Sequence, residues 1–369
     1  MTNLKIRVPF VAVLALVTIA SHAVADELIT DGNFDDLQVG SAPDNGVPNG
    51  AWQVASNVGE SGDNTIAVVE TGSFEPGASG NSLSLGRPSV LHQRSGVENQ
   101  FNQIIEEEQN EIVRATFELF IPATSTPGRP NASFFIGGDH GDPAFPSSPH
   151  EDRGPQLEWN SRGQLRIAEC DPTNNCGGRS YKTVVDDTPL DSWQQLQLDI
   201  DLKNDTYDLF WGANRGESEL VAPYAEFRSG EQDFLDRFTV AFFSGRNFPE
   251  GNAYLDNLNI EILTKDWLGD ANLDGEFNSG DLVDVFTANL YETGSIAAWS
   301  QGDWNSDRVF NSGDFVAAFQ GGGYEQGKRK LVTVVPEPDF GALAFCGFFA
   351  LVASRARRLR RVATGRLRL

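Results

Sequence analysis

The sequence predicts a mainly β protein, an antiparallel β sandwich followed by a small α-helical unit built on a duplicated acidic loop. Three observations predict it. Short alternating or β-branched runs between turn residues fill residues 26–264. An Asp/Asn/Gly pattern occurs twice, 33 residues apart, and 37 Gly and 18 Pro supply the turns. A chain of 369 residues has room for two or three compact units. Its 25 Phe and 7 Trp can fill real cores, which excludes wholesale disorder. The formal charge of −24 understates the body: residues 26–327 carry 16 basic against 50 acidic residues, a net of −34. Such a surface repels polyphosphate and excludes nucleic-acid binding.

Residues 1–25 open with Lys5 and Arg7, continue through the apolar run 8–20 and end in Ala23-Val24-Ala25. That order is a secretory signal with a small-x-small cleavage site, so the mature chain is expected to start near Asp26, outside the cytoplasm. Disulfides are permitted there. Cys170 and Cys176 enclose the turn-rich Asp-Pro-Thr-Asn-Asn and are expected to form one local disulfide, two free thiols being the alternative. Cys346 sits apart, in an apolar tail.

In the body, strand runs are read at 65–69, 112–121, 133–136, 164–167, 193–202, 207–211, 238–243 and 253–263. From Gln195 to Leu202 polar and apolar residues alternate without a slip, which predicts one buried and one wet face and puts Asp199 and Asp201 on the wet one. The acidic stretch 100–110 reads as a helical turn or loop. Trp52, Trp159 and Trp211 are read as core in preference to a sugar-stacking platform. His92, His140 and His150 are too scattered for a metal site or triad, and Asp139-His140-Gly141-Asp142 reads as loop decoration.

The stretch 28–34 (Leu-Ile-Thr-Asp-Gly-Asn-Phe), Ser192-Trp193-Gln194-Gln195-Leu196 leading into Tyr207-Asp208-Leu209-Phe210-Trp211, and Tyr254-Leu255-Asp256-Asn257-Leu258 resemble the jelly-roll strands of concanavalin-like and laminin-G-like modules. The resemblance spans residues 27–263 and implies a module that often binds carbohydrate and in some members cleaves it. Retaining cleavage needs two carboxyl groups about 5 Å apart, and the Glu-x-Asp-x-x-Glu run of laminarinase-like members is missing. No catalytic residue is assigned.

The specific signal lies in residues 265–325. In the first loop Asp270, Asn272, Asp274, Asn278 and Asp281 stand at positions 1, 3, 5, 9 and 12, with Gly275 at position 6 and the carbonyl of Glu276 at position 7. This is the spacing of a calcium loop, in which a chain coiling round one hard cation returns an oxygen to it on alternate residues. The second loop repeats it with Asp303, Asn305, Asp307, the carbonyl of Val309, Asn311 and Asp314. Arg308 replaces glycine at position 6, where the turn favours a positive φ, so the second site is expected to be the weaker. After each loop apolar residues recur at helical spacing, Leu282, Val285, Phe286 and Leu290, then Phe315, Ala318 and Phe319 before Gly321-Gly322-Gly323. Each unit is a loop plus one exiting helix.

This duplicated loop-helix, Gly269 to Gln320, closely resembles a type I dockerin. The resemblance implies docking to a cohesin-like partner, read by Ser279-Gly280 and Ser312-Gly313 at loop positions 10 and 11. Because both repeats share Phe-Asn-Ser-Gly-Asp, it also implies two docking orientations.

A linker, 326–335, leads to a tail at 336–361. There Pro336-Glu337-Pro338 precedes the apolar run 340–353 and a cluster of Arg355, Arg357, Arg358, Arg360 and Arg361. The three-part order resembles a PEP-CTERM sorting tail, which implies recognition by an exosortase, cleavage near Pro336-Glu337-Pro338, and a mature protein in the cell envelope or outside it after transient anchoring in the inner membrane. A plain C-terminal anchor is the alternative. The whole reads as an exported, noncatalytic binding protein. A polysaccharide hydrolase or lyase carried by the dockerin-like module, or a structural surface protein, are the alternatives.

Overall fold

The computed structural model describes residues 28–329, apart from 30–31, 40–51, 55–65, 77, 86–93, 109, 124–131, 139–153, 161, 172, 174–179, 231 and 244–251. The segment 1–25, the histidines at 92, 140 and 150, Cys176 and the tail 336–361 lie outside the described residues. Cys170 is disulfide-bonded.

Two seven-stranded antiparallel sheets make the sandwich. One runs in the order β1 (Trp52–Val54), β4 (Arg94–Glu106), β13 (Phe234–Phe243), β6 (Ala132–Gly137), β7 (Gln156–Trp159), β8 (Leu165–Glu169) and β9 (Ser180–Val185). The other runs β12 (Glu219–Glu226), β11 (Thr206–Gly212), β10 (Trp193–Asp201), β5 (Glu111–Phe120), β14 (Ala253–Thr264), β3 (Asn81–Leu85) and β2 (Ile66–Glu70). The chain crosses between sheets repeatedly, the strand order of a jelly-roll-like sandwich.

Alternation places the core. Leu196, Leu198 and Ile200 of β10 and Val113, Ala115, Phe117 and Leu119 of β5 point inward and are buried. Phe117 stacks on Phe134 of the opposite sheet at 5.2 Å and meets Phe238 edge-on at 5.5 Å, and Phe134 meets Trp159 at 5.4 Å. Burying each such ring contributes about 2–3 kcal/mol. Trp52 and Trp159 are therefore core, and half-buried Trp211 donates its Nε1 to Gln194 Oε1 at 3.1 Å.

The N-terminal segment closes one flank. A Cβ on Gly32 would lie 1.9 Å from the carbonyl oxygen of Leu258, so glycine is required where the two backbones meet, and the Leu258 N–H donates to the Gly32 carbonyl at 2.9 Å. The pairing of β14 with β5 shifts register beside this contact, between Asp256 and Asn259, and Asn257 there has φ 51°.

Two expectations are corrected. The stretch 100–110 is neither helix nor loop at its start: β4 continues through Glu106, because β13 pairs along it from Arg94 to Glu106. Asp199 is not wet but 8% exposed, since Arg114 on the adjacent strand holds both its oxygens, at 2.7 and 2.9 Å. Strands β1, β3, β4, β7, β9 and β12 have no counterpart among the runs read from the sequence.

After β14 ends at Thr264 the chain stays in the same compact unit, which closes at Gly327. Here lie the two helices, α1 (Ser279–Thr287) and α2 (Ser312–Gln320). Phe277, Val285, Ala297, Trp304, Phe310 and Ala318 form their shared core. Phe286 and Phe319, which belong to the apolar pattern read at helical spacing, are 50% and 47% exposed. Trp267 at the entry of this part donates Nε1 to the Gly327 carbonyl at its exit, at 3.0 Å. Among the described residues no helix is long and apolar enough to cross a membrane.

Candidate metal sites

The two loops fold alike down to single hydrogen bonds. The residue ahead of each, Gly269 and Gly302, has φ 105°, and the ring of Phe277 or Phe310 lies against it so closely that a Cβ would come within 2.6 or 2.4 Å. Positions 4 and 6 turn through the left-handed region in both, Leu273 and Gly275 in the first, Ser306 and Arg308 in the second. Asp270 Oδ1 and Oδ2 accept from the N–H groups of Asp274 and Gly275 at 3.2 and 2.8 Å, and Asp303 Oδ1 and Oδ2 from those of Asp307 and Arg308, both at 2.9 Å. Asn272 and Asn305 accept from the position 5 N–H, each at 2.9 Å.

The position 12 carboxylates tie loop to helix. Asp281 Oδ1 accepts from Ala271 N at 2.8 Å and its Oδ2 from Asn278 N at 2.8 Å, while Asp314 accepts from Trp304 N at 3.0 Å and Asn311 N at 2.8 Å. The second bond of each pair is half of a capping box. In the other half the N-cap side chains of Asn278 and Asn311 accept from the backbone of Asp281 and Asp314, and their oxygens also accept from Gly280 N and Gly313 N, both at 2.6 Å. The two asparagines read as position 9 ligands are thus helix N-caps, and Ser279-Gly280 and Ser312-Gly313 open the helices beside them.

The donor set fits a hard cation. Asp270, Asp281, Asp303 and Asp314 are 0–1% exposed, and among the described residues none is ion-paired with a basic side chain. Carboxylates buried without a cation are costly, and burial pushes Asp270 up to about 6, with Asp281 and Asp274 adding to it. Burial raises Asp281 and Asp303 as well. Oxygens of Asp303, Asp307 and Asp314 gather within 4.8 Å of one another. Arg308 does not break the second loop: it adopts φ 70° itself. That conformation costs a non-glycine residue about 1 kcal/mol.

The two loops differ in their surroundings. The hydroxyl of Tyr224, on edge strand β12, donates to Asp303 Oδ2, and the Arg308 guanidinium lies 5.1 Å from the Tyr224 ring centre. Nearby, Lys265 Nζ binds Asp201 Oδ2 at 3.1 Å and lies 4.9 Å from the Trp299 ring centre, while Trp299 Nε1 donates to the Asp270 carbonyl at 2.6 Å. A cavity of about 240 Å³ lies beside these contacts, lined by Asp199, Asp208, Lys265, Trp299, Ser306 and others. Sequence reasoning missed Tyr224. Its neighbour Pro223 signals an edge strand, but nothing local signals what the edge faces.

No protein-family model and no curated protein matches the chain. Solved structures similar to it include lectin II from Ulex europaeus, 9% identical over 62% of this chain and 97% of that one with a TM-score of 0.40. The catalytic domain of the glycoside hydrolase family 131 protein from Coprinopsis cinerea is 14% identical over 64% of this chain and 94% of that one, TM-score 0.41. A GH131 beta-glucanase catalytic domain from Podospora anserina is 14% identical over 63% and 95%, TM-score 0.41. At these scores the likenesses say nothing of ligand or chemistry, and the sandwich is assigned from its own strand order.

Proposed function

We propose that the chain is an exported binding protein in which calcium organises a docking module on a carbohydrate-binding sandwich. One observation carries the calcium reading: two twelve-residue loops, 33 residues apart, repeat both ligand spacing and hydrogen bonding and bury carboxylates that, among the described residues, form no ion pair with a basic side chain. Asp270, Asn272, Asp274, Asp281 and the Glu276 carbonyl would hold one ion. Asp303, Asn305, Asp307, Asp314 and the Val309 carbonyl would hold the other. Bound calcium supplies the positive charge these carboxylates lack. The chain's own part is to hand that order to the helices, because Asp281 and Asp314 belong to both the loops and the capping boxes.

The helices then present Ser279-Gly280 and Ser312-Gly313 to a cohesin-like partner. Exposed Val283 and Phe286 on α1 recur as exposed Val316 and Phe319 on α2, which supports two equivalent docking orientations. For the sandwich a glycan ligand is proposed on its resemblance to concanavalin-like modules. For the tail, exosortase processing at Pro336-Glu337-Pro338 is proposed on its three-part order. Isothermal titration of the full chain tests the first claim and should give two calcium ions per chain; none in either loop removes it. Glycan-array binding tests the second, and intact mass of the exported protein, ending near Pro338, tests the third.

A further inference from the structure

We infer that Tyr224 is a positioning residue for the second calcium site, contributed by the sandwich, so that filling this site also fastens the loop pair to the sheet. The inference rests on the calcium reading above. Its starting point is an asymmetry. The position 1 carboxylates receive the same two backbone bonds in each repeat, yet Asp303 takes a third, from the Tyr224 hydroxyl. That donor sits on a strand about 80 residues upstream, outside the repeat.

The backbone aims Tyr224 at this carboxylate. Between the pairs Tyr207↔Ala225 and Leu209↔Ala222, the single residue Asp208 of β11 faces two residues of β12, Pro223 and Tyr224. That is a β-bulge, a device that re-aims a side chain. Tyr224 has φ 49°, and its N–H donates to Asp208 Oδ1 at 2.9 Å, which holds the bulge. A bulky residue in the left-handed region persists where its surroundings require it. Across the interface the second loop answers with its own exception, Arg308 in place of glycine at φ 70°, laid over the Tyr224 ring. Tyr224 and Arg308, both non-glycine residues with positive φ, therefore meet each other, and the carboxylate they share, Asp303, is a ligand of the proposed site.

Outer partners that orient a ligand are worth 10- to 100-fold in metal affinity, so loss of the hydroxyl should weaken the second site about 10-fold. The test is calcium titration of the full chain carrying Tyr224→Phe, in two backgrounds. With the first loop disabled by Asp270→Ala and Asp274→Ala, Tyr224→Phe should weaken binding about 10-fold. With the second disabled by Asp303→Ala and Asp307→Ala, it should leave binding unchanged. Hydrogen exchange gives a second readout: calcium should slow exchange in β12 of the parent and not in Tyr224→Phe. Equal losses in both backgrounds, or an unchanged second-site constant, overturn this inference alone. Absence of calcium binding in the parent overturns the calcium reading and this inference with it.

Discussion

The two acidic loops are alike within and unlike in company. The first has glycine at position 6 and an Asp270 held by its own backbone. The second has arginine there and an Asp303 also held by a tyrosine of the sandwich. Internal geometry repeats because the same side chains close the same turns. What differs is position 6, the gathering of three carboxylates that is found in the second loop, and the contact of that loop with the sandwich. A duplicated motif can thus keep one chemistry in both copies while one copy becomes the joint to its neighbour.

The largest expected effect tests what the loops share. Helices of nine residues do not persist alone in water, and eight carboxylates of this region, those of Asp270, Asp274, Glu276, Asp281, Asp284, Asp303, Asp307 and Asp314, repel one another without a cation. Chelation should abolish most of the helical circular-dichroism signal, and a spectrum indifferent to chelator would break the comparison at its root. Next come Asp281→Ala and Asp314→Ala. Each strips acceptors from buried backbone N–H groups and should cost roughly 3 kcal/mol in denaturant unfolding with calcium present. Unequal costs would show that the internal symmetry is not energetic.

At position 1 the symmetry should fail. Asp303→Ala should weaken calcium binding more than Asp270→Ala, because it also frees Tyr224. This reverses the ranking expected from Arg308 in the sequence, and titration of the two variants decides it. A smaller effect comes from exchanging position 6. Gly275→Arg should cost about 1 kcal/mol for its left-handed backbone. Arg308→Gly should come out within about 0.5 kcal/mol of neutral, since relief of that strain offsets the lost ring contact, and thermal unfolding with calcium measures both.

A pH series gives the reference away from both loops. Burial, with Glu118 adding to it, pushes Asp256 up to about 6. Its folded state therefore binds the proton more tightly than the unfolded chain. The contribution is full below about pH 4 and is lost as pH rises through about 6. Asp256→Asn should flatten that decline in the sandwich transition, and an unchanged pH profile would show the group to be unperturbed.

The interior of the sandwich was legible because β10 alternates strictly from Gln195 and its Leu196, Leu198 and Ile200 face the core, whereas Trp193 packs on the other face with Phe120 and Tyr254. The loops were legible because cation ligands recur at fixed spacing along the chain. β4 was not, since Glu106-Glu107-Glu108 at its end look like a solvated turn, and only pairing with β13 draws the chain out to Glu106. Nor could Asp199 be placed, because its burial comes from Arg114 on a strand 85 residues away. Tyr224 escaped for the same reason. A side chain that acts across an interface carries no periodicity, and the bulge that aims it appears only once two strands are paired.

The bond from Trp267 to the Gly327 carbonyl sets a path for mechanical load. Tension between the sandwich and anything attached beyond Gly327 enters the loop pair at one of these residues and leaves at the other. Because they are tied side by side at 3.0 Å, the pull acts across that tie and bypasses the two loops. The part that carries the two acidic loops then hangs beside the line of force as a closed loop, so a ligand held there would stay in place while the chain on either side is stretched.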